Sequence, residues 1–148
     1  MKKLILMGAM AITLNVIQAQ EYKVITTVES IVPGGMGRSR IIDNTEPAVD
    51  YKRFTTVRNE GKDSDQGKVD RGDAKIDNME ETKLLNFYSM VGINFQNIAS
   101  NDAIISSKLT EMAKQGWELL YVTSGVESDA GDKDGKGIFI TRYVFRKK

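Results

Sequence analysis

The segment Pro33-Gly34-Gly35-Met36-Gly37-Arg38-Ser39-Arg40 holds the side chains best suited to binding chemistry. Glycines let backbone amides close on an anion, and two arginines two positions apart on a strand project to the same side. Their planar guanidinium forks match phosphate or carboxylate. Gly35, Gly37, Arg38 and Arg40 are therefore the candidate ligand-binding residues, for a phosphate, a carboxylate or a glycan-phosphate. The segment lacks the lysine and the helix start of a nucleotide-hydrolysing phosphate loop. The plainer reading is a tight turn with two solvated arginines, paired with acids further along the chain.

Other chemistries are restricted by what is missing. The chain has no histidine and no cysteine. That removes a Ser–His–Asp triad, a thiol nucleophile and an ordinary zinc site, together with the usual acid–base group of neutral pH. A carboxylate pair could still hydrolyse glycosides, but the acids crowd into loops at 60–81 and 127–134, where no wall would hold them in a dry cleft. The run from Asp129 to Gly135 fails as a calcium loop. Aligned on Gly135, its first and twelfth positions are Ala130 and Thr141, and Lys133 adds positive charge. Arg71-Gly72-Asp73 matches a receptor-binding tripeptide, at a length where chance matches are common. The expectation is a protein that is not an enzyme, with no cofactor and no metal.

The elements that would position these residues follow a leader-like start. Lys2 and Lys3 precede a mostly apolar run from Leu4 to Ile17, and Ala19 offers a small residue for cleavage. This layout predicts a signal peptide over 1–19 and a single α+β domain over 20–148, exported to the periplasm or the medium. The apolar run is too short for a membrane anchor, and no later segment could span a bilayer. Removing Lys2 and Lys3 takes the 21 basic residues to 19 against 20 acidic ones, near neutrality. No nucleic-acid footprint is present. Without cysteine, stability must come from packing alone.

Tyr22, Val24, Thr26 and Val28 alternate with their neighbours and predict a strand, ended by Pro33-Gly34-Gly35. Residues 38–58 read as a β-hairpin turning at Asn44 and Pro47. Residues 59–81 are charged, glycine-bearing and free of aromatics, which predicts a mobile insert. Lys83 to Ile98 reads as a short helix or turn followed by a loop. Ser100 or Asn101 is the expected cap of the main helix, in which Ile105, Leu109 and Met112 share one face. Gly116 then suits the left-handed position at the helix end.

The run Leu109-Thr110-Glu111-Met112-Ala113-Lys114-Gln115-Gly116-Trp117-Glu118-Leu119-Leu120-Tyr121-Val122 resembles the "LNELGxEGWELVSV" pattern of a small bacterial domain-of-unknown-function family. The first strand, 21–27, and the last, 138–147, agree with it. About 70 residues separate that first strand from the helix, so this chain carries a large insertion relative to the family. The resemblance implies a split β-α-β-β fold: an antiparallel β-sheet, one main α-helix on one face, and the closing strand between the first strand and the tryptophan strand. It implies no activity.

Both closing strands are apolar on both faces, whereas a sheet with one wet face alternates. Simple alternation places Trp117, Leu119 and Tyr121 on one face, with Leu120 and Val122 on the other. Phe139, Tyr143 and Phe145 oppose Ile138, Ile140 and Val144. One helix covers one face. The 30–98 insert is the preferred cover for the second, ahead of a second copy of the chain. The function expected from this is a non-enzymatic interaction or structural module of the cell envelope, whose partner is a protein or itself. The alternative is an anion binder using Gly35 to Arg40.

Overall fold

The computed structural model describes residues 20–30, 39–46, 49–126 and 138–147. The predicted signal segment, Gly35, Gly37, Arg38 and the 127–134 loop lie outside the described residues. Seven strands and one long helix are described: β1 (Tyr22–Ser30), β2 (Arg40–Asn44), β3 (Met79–Lys83), β4 (Tyr88–Ser89), β5 (Gly92–Ile93), α1 (Phe95–Lys114), β6 (Trp117–Val126) and β7 (Ile138–Lys147). Five strands form one sheet in the order β3-β2-β1-β7-β6, and β4 pairs with β5 in a small separate hairpin. Every pair in the large sheet is antiparallel. β1 and β6 therefore run parallel to each other with β7 between them, and α1 lies between them in sequence. This is the expected split arrangement of an α+β fold, with one main helix on an antiparallel sheet.

The helix starts earlier than its apparent signals. Asn94, not Ser100 or Asn101, is the cap: its side-chain oxygen accepts from the Asn97 amide at 3.1 Å. α1 then runs for 20 residues from Phe95, taking in the end of the ambiguous 83–98 stretch. The rest of that stretch holds Leu84, which is buried in the core, and the β4–β5 hairpin, where Gly92 adopts φ 116°. At the other end, Gly116 adopts φ 85°, a conformation that costs a side-chain-bearing residue about 1 kcal/mol or more. Its amide bonds the Ala113 carbonyl and releases the chain into β6.

The predicted hairpin within 38–58 is not formed. β2 pairs with β3, from the far end of the insert, with Arg40 opposite Lys83 and Asn44 opposite Met79. Tyr51–Phe54 is a single 3-10 turn capped by Asp50, whose side chain accepts from the Lys52 amide. The physical reason is that no partner with a dry face is offered to 49–58: no residue from 49 to 78 is buried. Glu46 closes the insert at its neck by accepting from the Asp77 and Asn78 amides at 3.1 and 2.9 Å.

The core lies between α1 and one sheet face. Ile25, Ile41, Leu84, Met112 and Phe145 form it, with Ile104, Ile105, Leu109, Trp117 and Tyr143 packed around them. Each fully buried side chain of this size contributes about 2 kcal/mol. Lys147 holds its ammonium 4.6 Å above the Trp117 ring and covers one side of the indole.

Candidate functional site

Of the anion-binding candidates, the described one is Arg40. It stands on the sheet face away from α1, and its guanidinium nitrogen lies 2.6 Å from Glu81 Oε2 on β3. Its neighbour Ser39 is buried and works in the frame: Ser39 Oγ accepts from the Ser30 amide and donates to Asn86 Oδ1 at 2.7 Å. Gly35, Gly37 and Arg38 are outside the described residues, so of the proposed set Arg40 alone has a described position.

Two polar clusters were missed in the sequence. The first surrounds Asp43, buried on the helix side of β2. Lys23 Nζ lies 2.7 Å from one of its oxygens and Lys108 Nζ 3.0 Å from the other. Glu80 and Glu111 stand 3.7 and 3.9 Å from the same Lys108 nitrogen. Burial alone would lower the Lys108 pKa, but Asp43, Glu111 and Glu80 together outweigh it and raise the value above 10.5. A lysine acting as nucleophile or base needs the opposite shift. The cluster is a charged pin between α1 and β2. The four-three-four helical spacing 101-105-108-112 would have placed Lys108 at the rim of the buried face.

The second cluster is built on Asn101, buried within α1. Its oxygen accepts from the Leu85 amide at 2.8 Å, and its nitrogen donates to the Leu85 carbonyl at 2.8 Å and to Glu29 Oε1 at 3.0 Å. The carboxamide thus replaces a neighbouring strand for Leu85. Asn97 adds a bond to the Asn86 carbonyl at 2.7 Å. Nearby, burial raises the Tyr143 pKa above 10.0. The Thr27 hydroxyl acts against that shift, while Glu29 and Asp102 add to it.

Two recesses stand out. One of about 420 Å³ lies at the β6 start, between Tyr22, Asn44, Glu46 and Trp117. Another of about 310 Å³ lies within the insert, between Phe54, Val69 and Asp73. The Arg71-Gly72-Asp73 tripeptide sits in an exposed turn there, where the Gly72 amide bonds Asp70. Among the described residues, no group of three or more acidic, histidine or cysteine side chains is placed to hold a metal ion.

The exposed apolar surface is the most distinctive feature. β6 is an edge strand, and Leu119 through Val126 are all exposed. A bulge at Leu120 corrects the simple alternation. Leu119 faces Phe145, but Tyr121 faces Val144 and Val122 faces Tyr143. One extra residue therefore moves Tyr121 to the open face and Val122 to the helix side. The described part of the insert leaves Tyr22 and Val24 on that open face exposed: its buried side chains Ile41, Asp43 and Leu84 pack on the helix side, and no residue from 49 to 78 is buried. A second apolar point is the β4–β5 tip, where Met90 and Val91 are 89% and 99% exposed.

These features define a small α+β protein with one helix on a five-stranded antiparallel sheet, and among the described residues no helix is long and apolar enough to cross a membrane. No family model, curated protein or solved structure matches the chain.

Proposed function

We propose that the protein is a non-enzymatic interaction module of the cell envelope. The observation that carries this reading is β6: a ten-residue edge strand with exposed apolar side chains on both faces. Such an edge is a template for pairing with another chain, and natural sheets usually blunt it. The polar clusters add support, because each is consumed in holding α1 to the sheet. Export is supported by the Lys2-Lys3 start and the apolar run to Ile17. The test is a photo-crosslinking side chain at Tyr121, compared with one at Lys83 on the opposite edge, in the envelope of the producing cell. Discrete adducts at Tyr121 and none at Lys83 are expected; equal background at both positions refutes the reading.

The anion-binding alternative keeps its sequence basis in Gly35, Gly37, Arg38 and Arg40. An anion at Arg40 would have to displace Glu81 from a 2.6 Å ion pair. Its test is a thermal-shift panel of phosphate, carboxylate and sugar-phosphate ligands, with Arg38→Ala/Arg40→Ala as the control. No shift with any of them ends it.

A further inference from the structure

We infer that two copies of this chain associate edge to edge through β6, antiparallel, so that the two five-stranded sheets continue as one. The inference rests on the interaction-module reading above and commits the partner to a second copy.

The two edges of the sheet are treated differently. β3, at one edge, is five residues long and reads Met-Glu-Glu-Thr-Lys. Short length and charge are standard protection against edge pairing. β6, at the other edge, has ten residues and no lysine, arginine or proline. Its one charge, Glu118, is engaged with Arg146 at 2.7 Å. Among the described residues, no backbone hydrogen bond reaches β6 from its outer side.

Charge and symmetry select the occupant. A neutral edge offers nothing by which to choose a charged peptide, and it meets no repulsion from its own copy. Antiparallel pairing about a two-fold axis matches the free amides of each copy with the free carbonyls of the other. It also sends the two Glu118 side chains to opposite ends of the contact, because Glu118 lies at the start of the strand.

The area is sufficient for a weak dimer. Leu119, Leu120, Tyr121, Val122 and Val126 are 41%, 39%, 58%, 49% and 58% exposed. Covering most of that surface in both copies, with the backbone between, buries roughly 1,000 Å², near the lower end for specific association. The bulge at Leu120 keeps the contact from growing, since it interrupts the regular ladder between Leu119 and Tyr121. The dimer is therefore reversible and concentration-dependent.

Sedimentation velocity of the purified chain, from low to several hundred micromolar, tests this. The expected result is a shift from monomer to dimer mass. Val122→Lys should weaken the dimer ~tenfold or more, while Met90→Lys, at the hairpin tip, leaves it unchanged. Should Val122→Lys fold poorly, hydrogen exchange of the wild-type chain gives the same answer: β6 amides gain protection with concentration and β3 amides do not. A monomer throughout the range overturns the inference, as does a dimer lost with Met90→Lys but kept with Val122→Lys. If the chain stays monomeric while Tyr121 crosslinks to a foreign protein, self-association fails and the interaction reading survives; if both come up empty, both fail.

Discussion

Asn101 offers a quantitative check on how α1 is held to the sheet. Its side chain is 1% exposed and makes three hydrogen bonds, two to the backbone of Leu85 and one to Glu29. Asn101→Ala removes all three. A buried backbone group left unpaired costs ~1–3 kcal/mol, and water reaching the half-open Leu85 side recovers part of that. The expected loss is therefore ~2–3 kcal/mol, a large share of the stability of a domain this size. Asn101→Asp keeps the acceptor for the Leu85 amide but turns a second oxygen toward the Leu85 carbonyl and the Glu29 carboxylate. It should be worse than alanine at pH 7.

The aspartate variant also fixes the sign of a pH effect. Burial and the Glu29 charge both favour the protonated acid, so the folded-state pKa of the new carboxyl lies above its unfolded value. Its cost is then small at low pH and grows as pH rises through the ordinary carboxylate range. Urea unfolding of wild type, Asn101→Ala and Asn101→Asp at pH 4 and pH 7 measures both effects, with alanine as the reference for the general response to acid. Amide exchange at Leu85 should speed up in both variants. An alanine variant within ~0.5 kcal/mol of wild type, or an aspartate penalty equal at the two pH values, would refute the clamp.

The core, the ion pairs and the insert each carry a further expected outcome. Met112, fully buried at the centre of the core, should lose ~3 kcal/mol as Met112→Ala, read from the urea midpoint. Lys108 and Tyr143 both have pKa values raised above 10.5 and 10.0, so the stability they contribute is complete below about pH 10 and falls as pH rises through the shifted values; thermal melts from pH 8 to 12 should show this, with a shallower fall in Lys108→Met. Replacing residues 47–76 by Asn-Gly should leave the melting temperature within a few degrees of wild type, since the removed residues described bury nothing and Glu46 already bonds Asp77 and Asn78 across the neck.

The closing helix–strand–strand unit was legible because its signals are local and agree. Ile105, Leu109 and Met112 mark one helix face, Gly116 marks its end, and the aromatic strands mark the sheet. The insert was not legible in the same way. β3 reads Met-Glu-Glu-Thr-Lys, an edge strand with no apolar period, so its pairing with β2 leaves no trace in hydropathy. Tyr51, Phe54 and Val57 alternate loosely yet form a 3-10 turn and its exit, because alternation without a face to bury does not make a strand. Asn101 looked like a cap because asparagine often is one; here its hydrogen bonds go across the fold, which sequence spacing cannot report. The Leu120 bulge shifted two side chains between faces for the same reason. Of the candidate site, Arg40 was placed correctly on a strand, and an acid of the long loop is its partner, but the identity of Glu81 depended on the unseen β2–β3 register.

The positions of insert and open edge are linked. The insert hangs from β2 and β3, at the charged edge, while β6 closes the sheet at the other side. Four strand spacings of ~4.8 Å separate β3 from β6, about 19 Å across the sheet. Among the described residues, the extra ones thus sit at an edge guarded by charge and leave the apolar edge clear. If the insert binds a ligand in the recess between Phe54 and Val69, that event occurs well away from β6 and need not compete with association there. The Asn-Gly replacement of 47–76 separates the two: it should abolish whatever the insert does and leave concentration-dependent association intact. Loss of association together with the insert would mean that the insert, and not the bare edge, forms the contact.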